Sequence, residues 1–319
     1  MTRVRVLPGL EADGYRRHML HADDRLWVEK NCYVDVIIEM IHALGLEPLA
    51  ALGFCAAVDF EGDNFTFFKP VHEELRELYG MDVQELNVWR PLLEHAKHHL
   101  AEGKFISTEA DSFHLPDTSG TDYRRNHVKT TIIMADLDAD RRRLGYFHNA
   151  AYYALEGEDF DNTFAPTVLP LYAELVRVDR LERRPRAALA AMARSLLTKH
   201  VGRRPSSNPI EAFRRRFAQD LPWLQQQGLD VYHIWAFATV RQLGAASELL
   251  ALHLDWLTES GQGDGLKPAA EAFSQLSAAA KTLILKAARA VNTRKPLDAA
   301  SAFDEMAGSW ARGMETLAR

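Results

Sequence analysis

The stretch "RRNHVKTTIIMADLDADRRRLGYFHNAAYY", residues 124–153, decides how the first half of the chain is read. Two runs rich in β-branched, aromatic and aliphatic residues, "HVKTTIIMADLD" and "RLGYFHNAAYYAL", flank the polar "DADRRR". Such runs around a polar turn predict a pair of antiparallel strands, with Asp136 and Asp138 beside the turn. Pairing would bring the outer ends together, so His127 and Asn149 should lie side by side. Period-two alternation then sets Asn149 on the face of His127 and sends its neighbour His148 to the other side.

The group these side chains would serve is Cys32. "NCYVDVIIEMIHALGLEP" repeats Val34, Ile37, Ile38, Ile41 and Leu44 at helical spacing, and Gly45 followed by Pro48 supplies a stop. Asn31 is a good N-cap, which places Cys32 in the first turn. The dipole and free N–H groups of a helix start stabilise a thiolate and can donate to an oxyanion. Cysteine at a helix start, histidine on a later strand and asparagine on the next is the order of a papain-like site. In that chemistry Cys32 attacks a carbonyl, His127 takes and returns the proton, and Asn149 fixes the ring through its other nitrogen, with Asp111 or Asp138 as alternatives for that orienting role. A papain-type protease carries a glutamine shortly before the cysteine. Here Leu26, Trp27, Val28 and Glu29 stand there, leaving Asn31 as the oxyanion candidate. Cys55 lies within an apolar run and reads as a small core residue.

The wider chain has 319 residues and 47% apolar composition, enough for two domains. Two cysteines cannot make a disulfide framework or a four-thiolate zinc site, and suit a reducing cytoplasm. The start lacks the apolar core of a signal peptide, and no run approaches the roughly twenty apolar residues of a membrane span. Residues Val71–Tyr79 and Val83 to about Ala101 read as helices, and "KFISTEADSFHLPD" as a strand entering a loop. "LGFCAAVDFEGDNFTFFKP" reads as two strands joined through Glu61-Gly62-Asp63, the first open to a partly helical reading. From about Pro166 the sequence turns to Ala, Leu, Arg and Glu with helical periodicity. The expectation is an α+β chain: an α/β domain over 1–165 and an all-helical domain over 166–319. Charge divides similarly. Residues 1–160 hold 17 Lys/Arg against 28 Asp/Glu, a net −11, whereas 161–319 hold 21 against 16, a net +5. The acidic half is a poor nucleic-acid surface, and the basic half would attract an acidic partner.

Longer passages carry a family resemblance. "NCYVDVIIEMIHALGLEPLAALGFCAAVDFEGDNFTFFK", "LYGMDVQELNVWR", "EADSFHLPDTSGTDYRRNHVKTTI", "LGYFHNAAYYALEGEDF" and "RQLGAASELLALHLDWL" resemble a bacterial family known as domain of unknown function 1839. More distantly, Cys32, then "DSFHLP" from Asp111, then His127 resembles the N-terminal domain of the butirosin biosynthesis protein H acyltransferases. That resemblance implies a papain-like fold. It also implies transfer of an aminoacyl group from a carrier-protein thioester to an amine, the phosphopantetheine being presented by the partner and no cofactor bound by the protein itself.

Other groupings are weaker. His95 and His99, at i,i+4 in "LEHAKHHLAEG", have zinc-compatible spacing but lack the adjacent glutamate of a metallohydrolase helix, so no metal is expected. The polar loop "DTSGTDYRRNH" makes Asp111, Asp117, Asp122 and Tyr123 candidates for gripping a substrate ammonium, beside ordinary loop capping. Arg203, Arg204, Arg214, Arg215 and Arg216 are candidates for docking an acidic carrier protein, although solvated helix faces carry such clusters too. Trp235, Trp256 and Trp310 read as core anchors. The functional expectation is a cytoplasmic cysteine-dependent acyl or aminoacyl transferase acting on a carrier-protein thioester and a small-molecule or protein acceptor, with neither nucleic acid nor membrane as partner. Its rivals are a cysteine hydrolase (peptidase, amidase or thioesterase) and a non-catalytic carrier-binding adaptor.

Overall fold

The computed structural model describes residues 3–165 and 171–319. The chain divides into two compact units: 1–23, 31–48 and 71–183 form the first, and 24–30, 49–70 and 184–319 the second.

The first unit contains β1 (Val4–Arg5), α1 (Cys32–Ala43), α2 (His72–Tyr79), β2 (Asp82–Glu85), α3 (Leu92–Ala101) and β3 (Phe105–Asp111). It continues through β4 (Lys129–Asp138), β5 (Arg143–His148), β6 (Ala151–Glu156), α4 (Gly157–Thr163) and β7 (Ala173–Arg177). The strands form one antiparallel sheet in the order β2-β7-β3-β4-β5-β6, and β1 pairs with β4 at Asp136 and Leu137, past the end of β3. Ile132, Met134, Leu144 and Tyr146 face a core closed by Ala96 and Leu100 of α3. Helix α1 packs against β4, β5 and β6. The sheet is therefore apolar on both faces in its middle, which is why "TTIIMA" is a continuous buried run rather than an alternating one.

The strand pair of the opening stretch is present, and a third strand follows it. Asn149, with φ of 44°, and Ala150 turn the chain so that His148 pairs with Ala151. Asparagine tolerates this left-handed conformation, which breaks "HNAAYY" into turn and strand. The segment from Val83 expected to be helical begins as β2, and its helix starts only after Pro91. Pairing with β7 overrides the local preference there. Residues Gly53–Ala57 form a 3-10 turn, and one bridge, Phe60 to Phe65, is what remains of the expected hairpin. Strand β7 lies beyond the expected boundary at 165/166, which adjoins residues 166–170, outside the described residues.

The second unit is helical: α5 (Arg186–Gly202), α6 (Pro209–Gln227), α7 (Leu229–Ala236), α8 (Gln242–Glu259), α9 (Lys267–Thr293) and α10 (Ala300–Leu317). One π-turn, Phe237–Arg241, joins α7 to α8. Helix α9 packs along both α8 and α10. Trp256 is buried, while Trp235 and Trp310 are half-buried, and the Trp235 indole donates to Asp220 (2.8 Å). Phe213, Phe217 and Phe303 pack edge to face, a geometry that suits the ring quadrupole. No described helix is long and apolar enough to cross a membrane.

Gly145 on β5 shows how tightly the α1 side of the sheet is filled. A Cβ there would lie 2.0 Å from the hydroxyl of Tyr152, which is buried with no hydrogen-bond partner among the described residues. Gly145→Ala should destabilise the protein by about 1–3 kcal/mol through overpacking. Tyr152→Phe should be tolerated, since it removes an unsatisfied hydroxyl, and should recover part of the loss in the double variant. Urea midpoints of the four proteins check this, and full additivity would contradict it.

Candidate active site

Asn31 is extended (φ −145°, ψ 155°), and its side-chain oxygen accepts the Val34 N–H at 3.0 Å. That cap starts α1 at Cys32, as the N-cap reading requires. The Cys32 side chain is half-buried, and its thiol donates to Thr131 Oγ1 at 3.7 Å. Thr131 lies in β4 opposite Glu109 of β3. Register then places three rows on this face: Glu174–Ser107–Ile133, next Glu109–Thr131, and last Asp111–Lys129. The Cys32 thiol meets the middle row.

His127 stands two residues before β4. Its Nδ1 donates to Asp111 Oδ2 at 2.6 Å, and its ring stacks on Phe113 with centroids 4.3 Å apart. The other Asp111 oxygen accepts the Phe113 N–H at 3.0 Å. Burial works against the charged carboxylate of Asp111. The His127 ring and the Phe113 N–H outweigh it and hold the carboxyl below its ordinary value. With Nδ1 engaged, the neutral tautomer presents Nε2 as a proton acceptor. The His127 side chain is 70% exposed. No hydrogen bond joins it to Cys32 among the described residues. The Asp111–Lys129 row lies two residues from Thr131, a rise of about 7 Å along the strand. His127 itself stands two residues further from Thr131 than that row, bound to Asp111 and stacked on Phe113 rather than on the thiol.

Asn149 does not hold this ring. It occupies the β5–β6 turn, and Asp111, expected as a substrate contact, is the orienting group. His148 is on the opposite face, as alternation predicts. Its Nε2 accepts from Thr130 (2.8 Å) and its Nδ1 donates to Asp117, which also binds the Tyr146 hydroxyl. Asp117 is therefore a core residue, its side chain 4% exposed, rather than a free loop carboxylate. Asp122 accepts from Thr121 and Asn126, and Tyr123 donates to Asp159 of α4 (2.8 Å), so both secure their own loop. The Asn31 side-chain oxygen is committed to the cap, leaving backbone N–H groups of the first turn as oxyanion donors.

Sequence reasoning missed a second group near Cys32. The Tyr33 hydroxyl donates to Glu174 Oε2 (2.8 Å) and bonds His72 Nε2 (2.7 Å). Burial, then Glu174, pushes the Tyr33 phenol well above its ordinary range. Only its place beside Cys32 could have drawn attention to Tyr33, because Glu174 arrives on a strand that was not foreseen. In the helical unit, Arg214 pairs with Asp304 and Glu211, and Arg216 with Asp220 and Asp63. Arg203, Arg204 and Arg215 are exposed. On α3, His98, His99 and Glu102 bring ligand-capable atoms within 4.8 Å of one another, although Glu102 also pairs with Lys104.

Two family models match the chain, the DUF1839 N-terminal domain over residues 16–178 and the DUF1839 C-terminal domain over 186–319. The chain belongs to the DUF1839 family. No curated protein matches it. The end of the first DUF1839 match at 178 includes β7, in agreement with its place in the sheet.

The Asp111–His127 pair has a pH signature. A carboxyl depressed in the folded state adds stability above its unfolded value of about 4, and this is lost as pH falls through the lower folded value. Wild type should exceed Asp111→Asn in urea midpoint at pH 7, and the gap should shrink by pH 3. A gap independent of pH would show that the carboxylate's charge does not contribute.

Proposed function

We propose that this DUF1839 protein is a cysteine-dependent acyltransferase that moves an acyl or aminoacyl group from a carrier-protein phosphopantetheine thioester to an amine or similar nucleophile. The observation that carries this reading is the Asp111-held His127, its Nε2 unengaged, on the sheet face that receives the Cys32 thiol. In the first half-reaction the Cys32 sulfur attacks the thioester carbon and its proton passes to His127 Nε2. The bond to the pantetheine sulfur breaks, and the proton goes to that leaving thiolate. In the second, the acceptor amine attacks the acyl-cysteine carbon and gives its proton to His127. The Cys32 sulfur leaves and recovers that proton.

Each role has a physical basis. The free N–H groups of the α1 start can bind the oxyanion of both tetrahedral intermediates. Asp111 holds the imidazole in the tautomer with Nε2 free and stabilises the imidazolium when it forms. A thioester is already activated, so the absence of a papain-type glutamine matters less here than for amide cleavage. We read the ordered Cys32, Asp111 and His127 as a variant of the papain-like arrangement, in which aspartate replaces asparagine as the orienting residue. Arg203, Arg204 and Arg215, exposed on the basic helical unit, support an acidic carrier as partner. The soluble thiol chemistry suits a cytoplasmic setting.

Incubation with a loaded carrier protein should add the mass of the acyl group to Cys32, mapped by peptide mass spectrometry. Cys32→Ala should abolish the adduct. Cys55 should carry none, because it is buried and burial pushes its thiol well up. Asp111→Ala should slow acylation on the order of a hundredfold or more. Transfer of the adduct to an added amine faster than its loss to water marks a transferase. Loss to water alone would make the protein a hydrolase, and an unmodified Cys32 would remove the catalytic reading.

A further inference from the structure

The helical unit holds a cleft of about 730 Å³ that the cysteine chemistry does not use. One wall is the segment Arg25–Glu29, and the other comes from α7, α9 and the π-turn. This wall is built to hold its shape. The Glu248 carboxylate, nearly buried, accepts the backbone N–H groups of Leu26 (3.0 Å) and Trp27 (3.3 Å). The Trp27 indole donates to Ser277 (2.9 Å) and lies over Gly244, where a Cβ would come within 2.4 Å of the ring. A π-turn at the cleft is the kind of irregularity that recurs at functional sites.

Charge makes the cleft unusual. Arg25, Arg241 and Lys281 line it against one carboxylate, Glu29. Arg241 donates to the backbone carbonyls of Glu29 (2.8 Å) and Lys30 (3.3 Å), while the Glu29 carboxylate stands 4.0 Å away. Lys281 places its ammonium 4.4 Å from the Trp27 ring centre and pairs with no carboxylate among the described residues. Burial, and then Arg241, depress the Lys281 pKa, so its charge is held at a cost that a bound anion would relieve. Apolar surface continues from the cations: Leu285 is 63% exposed and lines the same cleft. The wall segment runs on in sequence into Asn31 and Cys32.

We propose that this cleft binds the phosphate of a phosphopantetheine arm, the anion between Lys281 and Arg241 and the chain along the exposed Leu26 and Leu285. The identification of the arm rests on the acyl-transfer reading; the selection of a phosphate over a neutral ligand does not. A cleft of this size suits an elongated small ligand, and cations beside exposed leucines suit an anionic head on an uncharged body.

Calorimetric titration of the full-length protein with 4′-phosphopantetheine should give one site, with pantetheine at least about tenfold weaker. Lys281→Gln should lose that preference and Lys281→Arg keep it, with circular dichroism confirming that both are folded. Equal binding of the two compounds, or a preference unchanged in folded Lys281→Gln, overturns the proposal. Inorganic phosphate binding as tightly as phosphopantetheine would reduce the cleft to a simple anion site and overturn the arm. Acylation of wild-type Cys32 by an N-acetylcysteamine thioester, which has no phosphate, tests the transfer reading by itself. If Cys32 stays unmodified while phosphate-dependent binding persists, transfer has failed and the phosphate site stands. If Cys32 is acylated but the phosphate has no effect on binding, the reverse holds.

Discussion

Asp35 and Glu39 lie one turn apart on α1, and both are fully buried. Two carboxylates in an apolar helix require compensation, and His21 supplies it. One ring nitrogen meets Asp35 at 3.0 Å and the other meets Glu39. The Tyr15 hydroxyl (2.6 Å) and the His18 N–H (2.9 Å) complete the coordination of Glu39. Breaking a buried pair by removing one partner costs about 3–5 kcal/mol, a large share of a typical domain's stability. The link fastens the irregular N-terminal segment to α1, whose other buried positions are Val, Ile and Met beside the hydrogen-bonded Tyr33.

The position of Cys32 follows from that anchoring. A helix fixed in rotation by the His21 link and in its start by the Asn31 cap presents residue 32 at one place on the sheet. That place is the middle row of the β3–β4 ladder, at Thr131. Strand pairing then fixes how far along the ladder Asp111 and His127 lie. The placement of Cys32, Asp111 and His127 is thus set by α1 and the β3–β4 ladder rather than by the loop "DTSGTDYRRNH", whose own carboxylates and tyrosine hold it in shape.

What the sequence disclosed, and what it hid, divides by range of interaction. Helix α1 and the β4–β5 pair were legible because their signals are local: 3.6-residue spacing, an N-cap and a polar turn between apolar runs. Strands β2 and β7 were not, because "DVQE" and "AELVR" are short and acquire strand character by pairing with each other and with β3. The domain boundary was misplaced for the same reason. Within the site, Cys32 was legible from its cap and His127 from its order. The orienting residue stayed open between Asn149 and Asp111 or Asp138, because the position of a turn and the strand register decide which side chain reaches the ring. A positive φ at Asn149 removes it from the strand, and the β3–β4 register brings Asp111 beside His127 across 16 residues of chain.

Two histidines near one strand pair show how position, not residue type, sets what a side chain is free to do. His148 and His127 each donate Nδ1 to an aspartate. His148 is buried among Tyr146, Asp117 and Thr130, and its Nε2 already accepts a hydrogen bond. His127 has the same orienting carboxylate, solvent on one side and Phe113 on the other, so a proton at Nε2 displaces nothing. Alternation along β5 sends the satisfied histidine to the α3 face, and the β3–β4 register keeps the unsatisfied one on the face of Cys32. The sheet itself therefore separates the histidine bonded into the core from the exposed one held by Asp111.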